Sequence, residues 1–133
     1  MELTDFKKKV MDIYGAIAAL PEDNDLFHDK NAVSVWLEMA GGPYGGVSYS
    51  LGEARENAFN RIGMEWEDFK FTPSGFYETG DVITVEGNYE GVNRKTGKKI
   101  NARVIHLWKL AEGKVLMEQF TDTALFWKAM EED

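Results

Sequence analysis

The chain of 133 residues is long enough to bury one hydrophobic core and too short for two, so a single domain spanning residues 1–133 is predicted. Its net charge of −8 argues against sequence-independent binding of nucleic acid, which requires a basic surface. The absence of cysteine excludes disulfides, thiol catalysis and thiolate metal sites.

No stretch of the sequence approaches the ~20 apolar residues that a membrane-spanning helix needs. The chain begins Met1-Glu2-Leu3-Thr4, which is charged from its second residue and lacks the pattern of a signal peptide. We therefore expect a cytoplasmic protein without membrane contact.

The first segment has the pattern of an amphipathic helix. Its apolar residues recur at alternating spacings of four and three from Phe6 to Leu20, and Pro21 is expected to end the helix. Tyr14 lies beside this apolar stripe. Two interpretations fit it: a packed aromatic ring with its hydroxyl in water, or a hydroxyl that lines a pocket.

A short second helix is predicted around Leu26-Phe27, in an otherwise polar segment. His28 follows between acidic residues, and no second histidine stands at ligand spacing, so a surface histidine is expected rather than a metal ligand.

A strand is predicted over Ala32–Met39, with Val33, Val35 and Leu37 on one face and Trp36 on the other.

The glycine-rich run Gly41–Gly46 lacks the spacing of a phosphate-binding loop and is predicted to be an ordinary connection.

Ser50 and Glu53 have the spacing of a capping box, which marks the start of a helix. Apolar residues then recur at helical spacing: Ala54, Ala58, Phe59, Ile62, Trp66 and Phe69. Further on, Pro73-Ser74-Gly75 indicates a bulge or a sheet edge.

The stretch from Asp81 to Thr123 has the pattern of a three-stranded antiparallel meander, because apolar runs alternate with short links that contain glycine. Its central run, Val104–Trp108, places His106 between apolar neighbours. With the helices before it, this order predicts an α+β fold in which a curved sheet packs against helices.

A two-residue turn at Glu112-Gly113 would pair His106 with Gln119. Because side chains alternate along a strand, Trp108 and Gln119 would then share the face of His106, and Asp122 would lie on the opposite face. A bulge would be needed to bring Asp122 to His106.

The chain resembles the SnoaL-like, ketosteroid isomerase-like branch of the nuclear transport factor 2-like superfamily. The resemblance covers nearly the whole chain and is carried by six short motifs in order: Pro43–Val47, Ala58–Ile62, Gly80–Gly87, Thr96–Lys98, His106–Trp108 and Asp122–Ala124. It implies a cone-shaped, cystatin-like α+β barrel with an antiparallel sheet wrapped around N-terminal helices. It also implies a deep, mostly apolar pocket and, in many members, a homodimer.

The resemblance fits the known activities of the superfamily unequally. The oxyanion tyrosine of ketosteroid isomerases is matched by Tyr14, but their base aspartate falls at about Trp36 and their protonated aspartate at His106. The limonene epoxide hydrolase pattern fails, because Arg103 is not followed by its aspartate. The histidine and aspartate of polyketide cyclases are matched by His106 and Asp122.

The resemblance therefore predicts a pocket for a small, largely apolar molecule, with possible cofactor-independent acid/base chemistry and no metal. His106 and Asp122 are the candidate catalytic residues. The candidate ligand-binding residues are Tyr14, Trp36, Phe59, Trp66, Trp108 and Gln119. Alternatively, His106 is a satisfied polar group or a ligand contact, Asp122 a structural cap, and the domain a non-catalytic binding or dimerisation module.

Overall fold

The computed structural model describes residues 1–15, 24, 26 and 33–133. Its helices are α1 (Leu3–Gly15), α2 (Leu51–Ala54), α3 (Asn60–Glu65) and α4 (Thr123–Met130), and a π-helical segment, Arg55–Phe59, joins α2 to α3. The predicted end of the first helix at Pro21, the second helix around Leu26-Phe27 and the surface position of His28 lie outside the described residues. Within the described ranges, no helix is long and apolar enough to cross a membrane.

The described residues form one curved sheet of six strands in the order β2-β1-β6-β5-β4-β3. The strands are β1 (Val33–Glu38), β2 (Gly46–Ser48), β3 (Trp66–Thr79), β4 (Val82–Asn93), β5 (Lys99–Ala111) and β6 (Lys114–Thr121). Neighbouring strands are antiparallel except β1 and β6, which are parallel. The register of β3 shifts between Pro73 and Gly75, which confirms the predicted bulge.

The predicted meander and its register are confirmed. Strands β4, β5 and β6 pair in sequence, Ala111 opposes Lys114, and His106 opposes Gln119. Glu112 and Gly113 both adopt positive φ, as a two-residue type I′ turn requires. The capping box is also confirmed, since the Glu53 amide donates to Ser50 Oγ at 3.1 Å at the start of α2.

Among the described residues, the buried hydrophobic side chains form two clusters along one face of the sheet. In the first, Phe6 and Val10 of α1 pack with Ile83 and Val85 of β4. In the second, Phe126 of α4 packs with residues of β3, β4 and β5. These helices on the sheet confirm the predicted α+β class.

The predicted helix after Ser50 extends too far. Helix α3 ends at Glu65, and Trp66 has an extended backbone and pairs with Asn93 across β3 and β4. The buried ring of Trp66 packs edge-to-face against Phe126. A helical spacing of apolar residues thus continued by chance into a strand whose position is fixed by long-range contacts.

The predicted facing of β1 is wrong at Val33. A register shift between Val33 and Val35 in the pairing with β6 adds a residue to the alternation. Val33 is consequently buried in the same core cluster as Trp36, whereas Val35 and Leu37 are only half-buried.

Candidate functional site

A cavity of about 310 Å³ lies between α1, the helical segment Arg55–Phe59 and the sheet. Its lining is mainly aromatic and aliphatic: Ile13, Tyr14, Trp36, Phe59, Phe71, Pro73, Tyr89, His106, Trp108 and Met117. A largely apolar wall with a few convergent polar groups is the usual character of a small-molecule site.

The imidazole of His106 lies at the centre of β5, where it is 7% exposed and stacks on Phe71 with ring centroids 4.5 Å apart. Each ring nitrogen contacts a tyrosine. The hydroxyl of Tyr14 lies 2.6 Å from Nδ1, and the hydroxyl of Tyr89 lies 2.8 Å from Nε2. The histidine is therefore held between two phenols at the wall of the cavity.

The partners of the two phenols fix the direction of these hydrogen bonds. Trp108 Nε1 donates to the Tyr14 oxygen at 2.8 Å, so the Tyr14 proton is available to His106 Nδ1. Tyr89 donates its proton to Gln119 Oε1 at 2.6 Å, so its oxygen accepts from His106 Nε2. This arrangement assigns neutral His106 with its proton on Nε2.

The chain of hydrogen bonds ends at Glu38, a carboxylate that is 4% exposed. Gln119 Nε2 donates to Glu38 Oε1, and Trp36 Nε1 donates to Glu38 Oε2 at 2.5 Å. The groups from Trp108 to Glu38 thus form one connected network, in which every donor points toward the carboxylate. A fully satisfied polar network of this kind holds its members in one geometry.

Burial sets the protonation of the network. It lowers the pKa of His106 from 6.5 to about 4, so the imidazole is neutral at pH 7. Burial raises the pKa of Glu38 from 4.5 to about 7, although hydrogen bonds from Trp36 and Gln119 oppose the rise. Burial also raises the pKa of Tyr14 and of Tyr89, so both phenols stay protonated.

Most of the predicted site residues converge on this cavity. Tyr14, Trp36, Phe59, His106 and Trp108 all line it. Gln119 lies behind the wall, where it joins Tyr89 to Glu38.

Two predicted site residues lie elsewhere. Trp66 does not line the cavity: it is buried in the second core cluster and donates to the Tyr44 hydroxyl at 2.8 Å. Asp122 follows β6, half-exposed, and forms an ion pair of 3.7 Å with Arg103. Because β5 and β6 pair without a bulge up to Thr121, the structure does not bring Asp122 to His106.

Sequence reasoning missed Glu38 and Tyr89. Glu38 is two residues after Trp36, so alternation alone could have placed it on the same face. Tyr89 is four residues after Val85, which opposes His106 on β5, so it belongs to the same face of β4. The pairing of β1 with β6, which brings Glu38 beside Gln119, has no local signal in the sequence.

Comparison with protein-family models gives no match, and neither does comparison with curated proteins. Among solved structures, an NTF2-like protein from Burkholderia thailandensis is 36% identical to this chain. The match covers 93% of this chain and 95% of that one, with a TM-score of 0.78.

Two further solved structures share the fold at lower identity. TerC, co-crystallised with polyporic acid, is 20% identical over 92% of this chain and 95% of its own, with a TM-score of 0.71. A candidate SnoaL-like polyketide cyclase from Jannaschia is 18% identical over 96% and 92%, with a TM-score of 0.68.

The architecture of a curved sheet closed by helices over a cavity is that of the cone-shaped α+β proteins. At 36% identity over nearly its full length to an NTF2-like protein, the chain belongs to the NTF2-like family.

Proposed function

We propose that the protein binds a small, largely apolar molecule that carries one polar oxygen, in the cavity next to His106. The observation that carries this proposal is the pair formed by Tyr14 and His106, a polar point in a wall that is otherwise mostly aromatic. An apolar body would be enclosed by Trp36, Phe59 and Trp108, and its oxygen would contact the Tyr14 hydroxyl. The TerC complex with polyporic acid is consistent with small-molecule binding in this fold.

Binding of β-naphthol, an apolar bicycle with one hydroxyl, tests the proposal, with naphthalene as the probe that lacks the oxygen. Tryptophan fluorescence is a suitable signal, because Trp36 and Trp108 line the cavity. We expect Tyr14→Phe to weaken β-naphthol binding roughly fivefold, the equivalent of one hydrogen bond, and to leave naphthalene binding unchanged.

Asp122→Asn is the matched control, because this side chain lies outside the cavity, and its β-naphthol affinity should equal that of the unmodified protein. The proposal would be contradicted if the unmodified protein bound neither β-naphthol nor naphthalene. Equal loss in Tyr14→Phe and Asp122→Asn would also contradict it.

Cofactor-independent acid/base chemistry is a second candidate function, favoured by the 2.6 Å contact of Tyr14 with His106 at the cavity wall. A pKa of about 4 makes His106 a weak base at neutral pH, so the site supports hydrogen bonding better than proton abstraction. Hydrogen–deuterium exchange of the α-protons of β-tetralone measures such chemistry. If His106 is the base, the unmodified protein accelerates exchange and His106→Gln abolishes it; equal rates would exclude this role.

A homodimer formed through the outer face of the sheet is our proposal for the protein partner. Ile105 and Phe120 are cross-strand neighbours there, 40% and 50% exposed, a pair of large apolar side chains open to solvent. Light scattering should give the mass of a dimer for the unmodified protein and of a monomer for Phe120→Lys. A monomeric unmodified protein would contradict this proposal.

A further inference from the structure

In the hydrogen-bond network from Trp108 to Glu38, every group donates toward Glu38. The protonation state of Glu38, the last group of the network, sets this direction of donation. An ionised carboxylate can only accept, so Gln119 must turn its NH₂ group to Glu38 and its oxygen to Tyr89. We propose that Glu38 is a positioning residue: through Gln119 and Tyr89 it decides whether Tyr14 presents an acceptor or a donor to a ligand in the cavity.

When Glu38 is ionised, the Tyr14 hydroxyl donates its hydrogen bond to His106 Nδ1. Its oxygen receives Trp108 Nε1–H and has a second lone pair, which can accept a hydrogen bond from a ligand in the cavity. In this state the site favours a ligand oxygen that carries a hydrogen, such as a hydroxyl.

Protonation of Glu38 reverses the order. The acid O–H then donates from Oε1 to the Gln119 carbonyl, which requires the amide to turn over, and the amide NH₂ donates to Tyr89. Tyr89 consequently donates to His106 Nε2, and the imidazole carries its proton on Nδ1. The net change is the uptake of one proton, held by Glu38, since the two phenols and the imidazole keep one proton each.

The reversed network changes what Tyr14 offers. Its oxygen now receives hydrogen bonds from both Trp108 Nε1–H and His106 Nδ1–H, so its own proton has to point away from both, into the cavity. In this state the site favours a ligand oxygen that only accepts, such as a ketone.

Glu38 has a separate access route for its proton. On the side away from His106 it lines a second cavity of about 290 Å³, whose charged lining groups are Glu56 and Arg61 and whose titratable phenol is Tyr44. Within the network, the titratable groups connected to it are Tyr89, His106 and Tyr14. A proton can therefore reach the carboxylate without passing through the ligand cavity.

Glu38→Gln is a sharp test because Trp36 dictates how the new amide must lie. Trp36 Nε1–H needs an acceptor, so the oxygen of the substituted side chain faces Trp36 and its NH₂ group faces Gln119. The variant is thus held in the reversed order at every pH. Glu118→Gln, the same change on the neighbouring residue of β6, is the control.

The first measurement is nitrogen NMR of the His106 ring, which distinguishes the protonated ring nitrogen from the bare one and requires no ligand. Between about pH 8 and about pH 5.5, where the imidazole stays neutral, the unmodified protein and Glu118→Gln should move the proton from Nε2 to Nδ1. Glu38→Gln should hold it on Nδ1 throughout. Gln119→Met, which cuts the network, should remove the pH dependence and provides a second variant.

The ligand part of this inference rests on the proposed function, and its measurement uses β-naphthol and β-tetralone, two bicycles that differ in their oxygen. The ratio of their affinities should shift toward β-tetralone by roughly tenfold between about pH 8 and about pH 5.5. In Glu38→Gln the ratio should favour β-tetralone at both pH values.

The two proposals fail in different ways. The same His106 tautomer and the same pH response in the unmodified protein and in Glu38→Gln would overturn the role of Glu38, whatever binds. The role of Glu38 would also be overturned if the ratio of β-naphthol to β-tetralone affinity changed neither with pH nor in Glu38→Gln. If neither probe binds, the proposed function fails, and the tautomer measurement still decides whether Glu38 directs the network.

Discussion

The Glu38→Gln variant is expected to gain about 3 kcal/mol of unfolding free energy relative to the unmodified protein as the pH rises from about 4.5 to about 7. Burial raises the pKa of the Glu38 carboxyl from 4.5 to about 7. Such a group contributes stability that is present below its unfolded pKa and is lost as the pH rises through its folded pKa. Glutamine does not titrate, so the variant escapes this loss.

His106 imposes the opposite dependence. Burial lowers the pKa of its imidazole from 6.5 to about 4, so its contribution is present above pH 6.5 and is lost as the pH falls toward 4. In the unmodified protein, Glu38 lowers the unfolding free energy as the pH rises and His106 raises it, so their two contributions cancel between pH 4.5 and 6.5. Without Glu38, the loss of stability in acid that His106 causes should become visible.

Urea unfolding at a series of pH values measures this difference directly. Subtracting the unmodified protein removes the contributions of the other titrating groups, which both proteins share. Glu118→Gln makes the same charge change beside Gln119 and is the matched control for the loss of one carboxylate. A pH-independent difference between Glu38→Gln and the unmodified protein would mean that the Glu38 carboxyl titrates normally in the folded state.

Replacing Phe126 by Ala is expected to lower the unfolding free energy by about 3–5 kcal/mol. The ring is fully buried, with its centroid 5.6 Å from that of Trp66 and 6.3 Å from that of Tyr89. Its loss leaves a cavity in the second core cluster, between α4 and the sheet, where rigid aromatic neighbours cannot collapse to fill it.

Leu125→Ala is the matched control, because the adjacent side chain on the same helix is 41% exposed. It should cost about 0.5 kcal/mol or less, as surface substitutions usually do. Unfolding of both variants in urea provides the comparison. Equal costs would show that α4 does not hold the second core cluster together.

Local patterns predicted the part of the fold that depends on neighbours in sequence. Alternation and the Glu112-Gly113 turn fixed the register of β5 on β6, and with it the pairing of His106 with Gln119. The same alternation correctly put Asp122 on the face away from His106, against the pairing that the polyketide cyclase pattern implies. These predictions hold because a two-residue turn leaves the next strand one register.

Patterns failed where a distant contact overrides a local preference. Trp66 continues a helical spacing, yet it lies in β3 because its ring packs beneath Phe126 of the C-terminal helix. Val33 follows the alternation of β1, yet a bulge in the pairing with β6 turns it to the core. No local signal encodes either contact.

The sequence alone determined that His106 is a polar group on the buried face of a central strand. Only the tertiary structure decided the hydrogen-bond network around it, because Tyr14, Tyr89 and Glu38 lie on three separate elements that meet there. It also decided their protonation, since burial and hydrogen bonding shift pKa values only once the chain has folded.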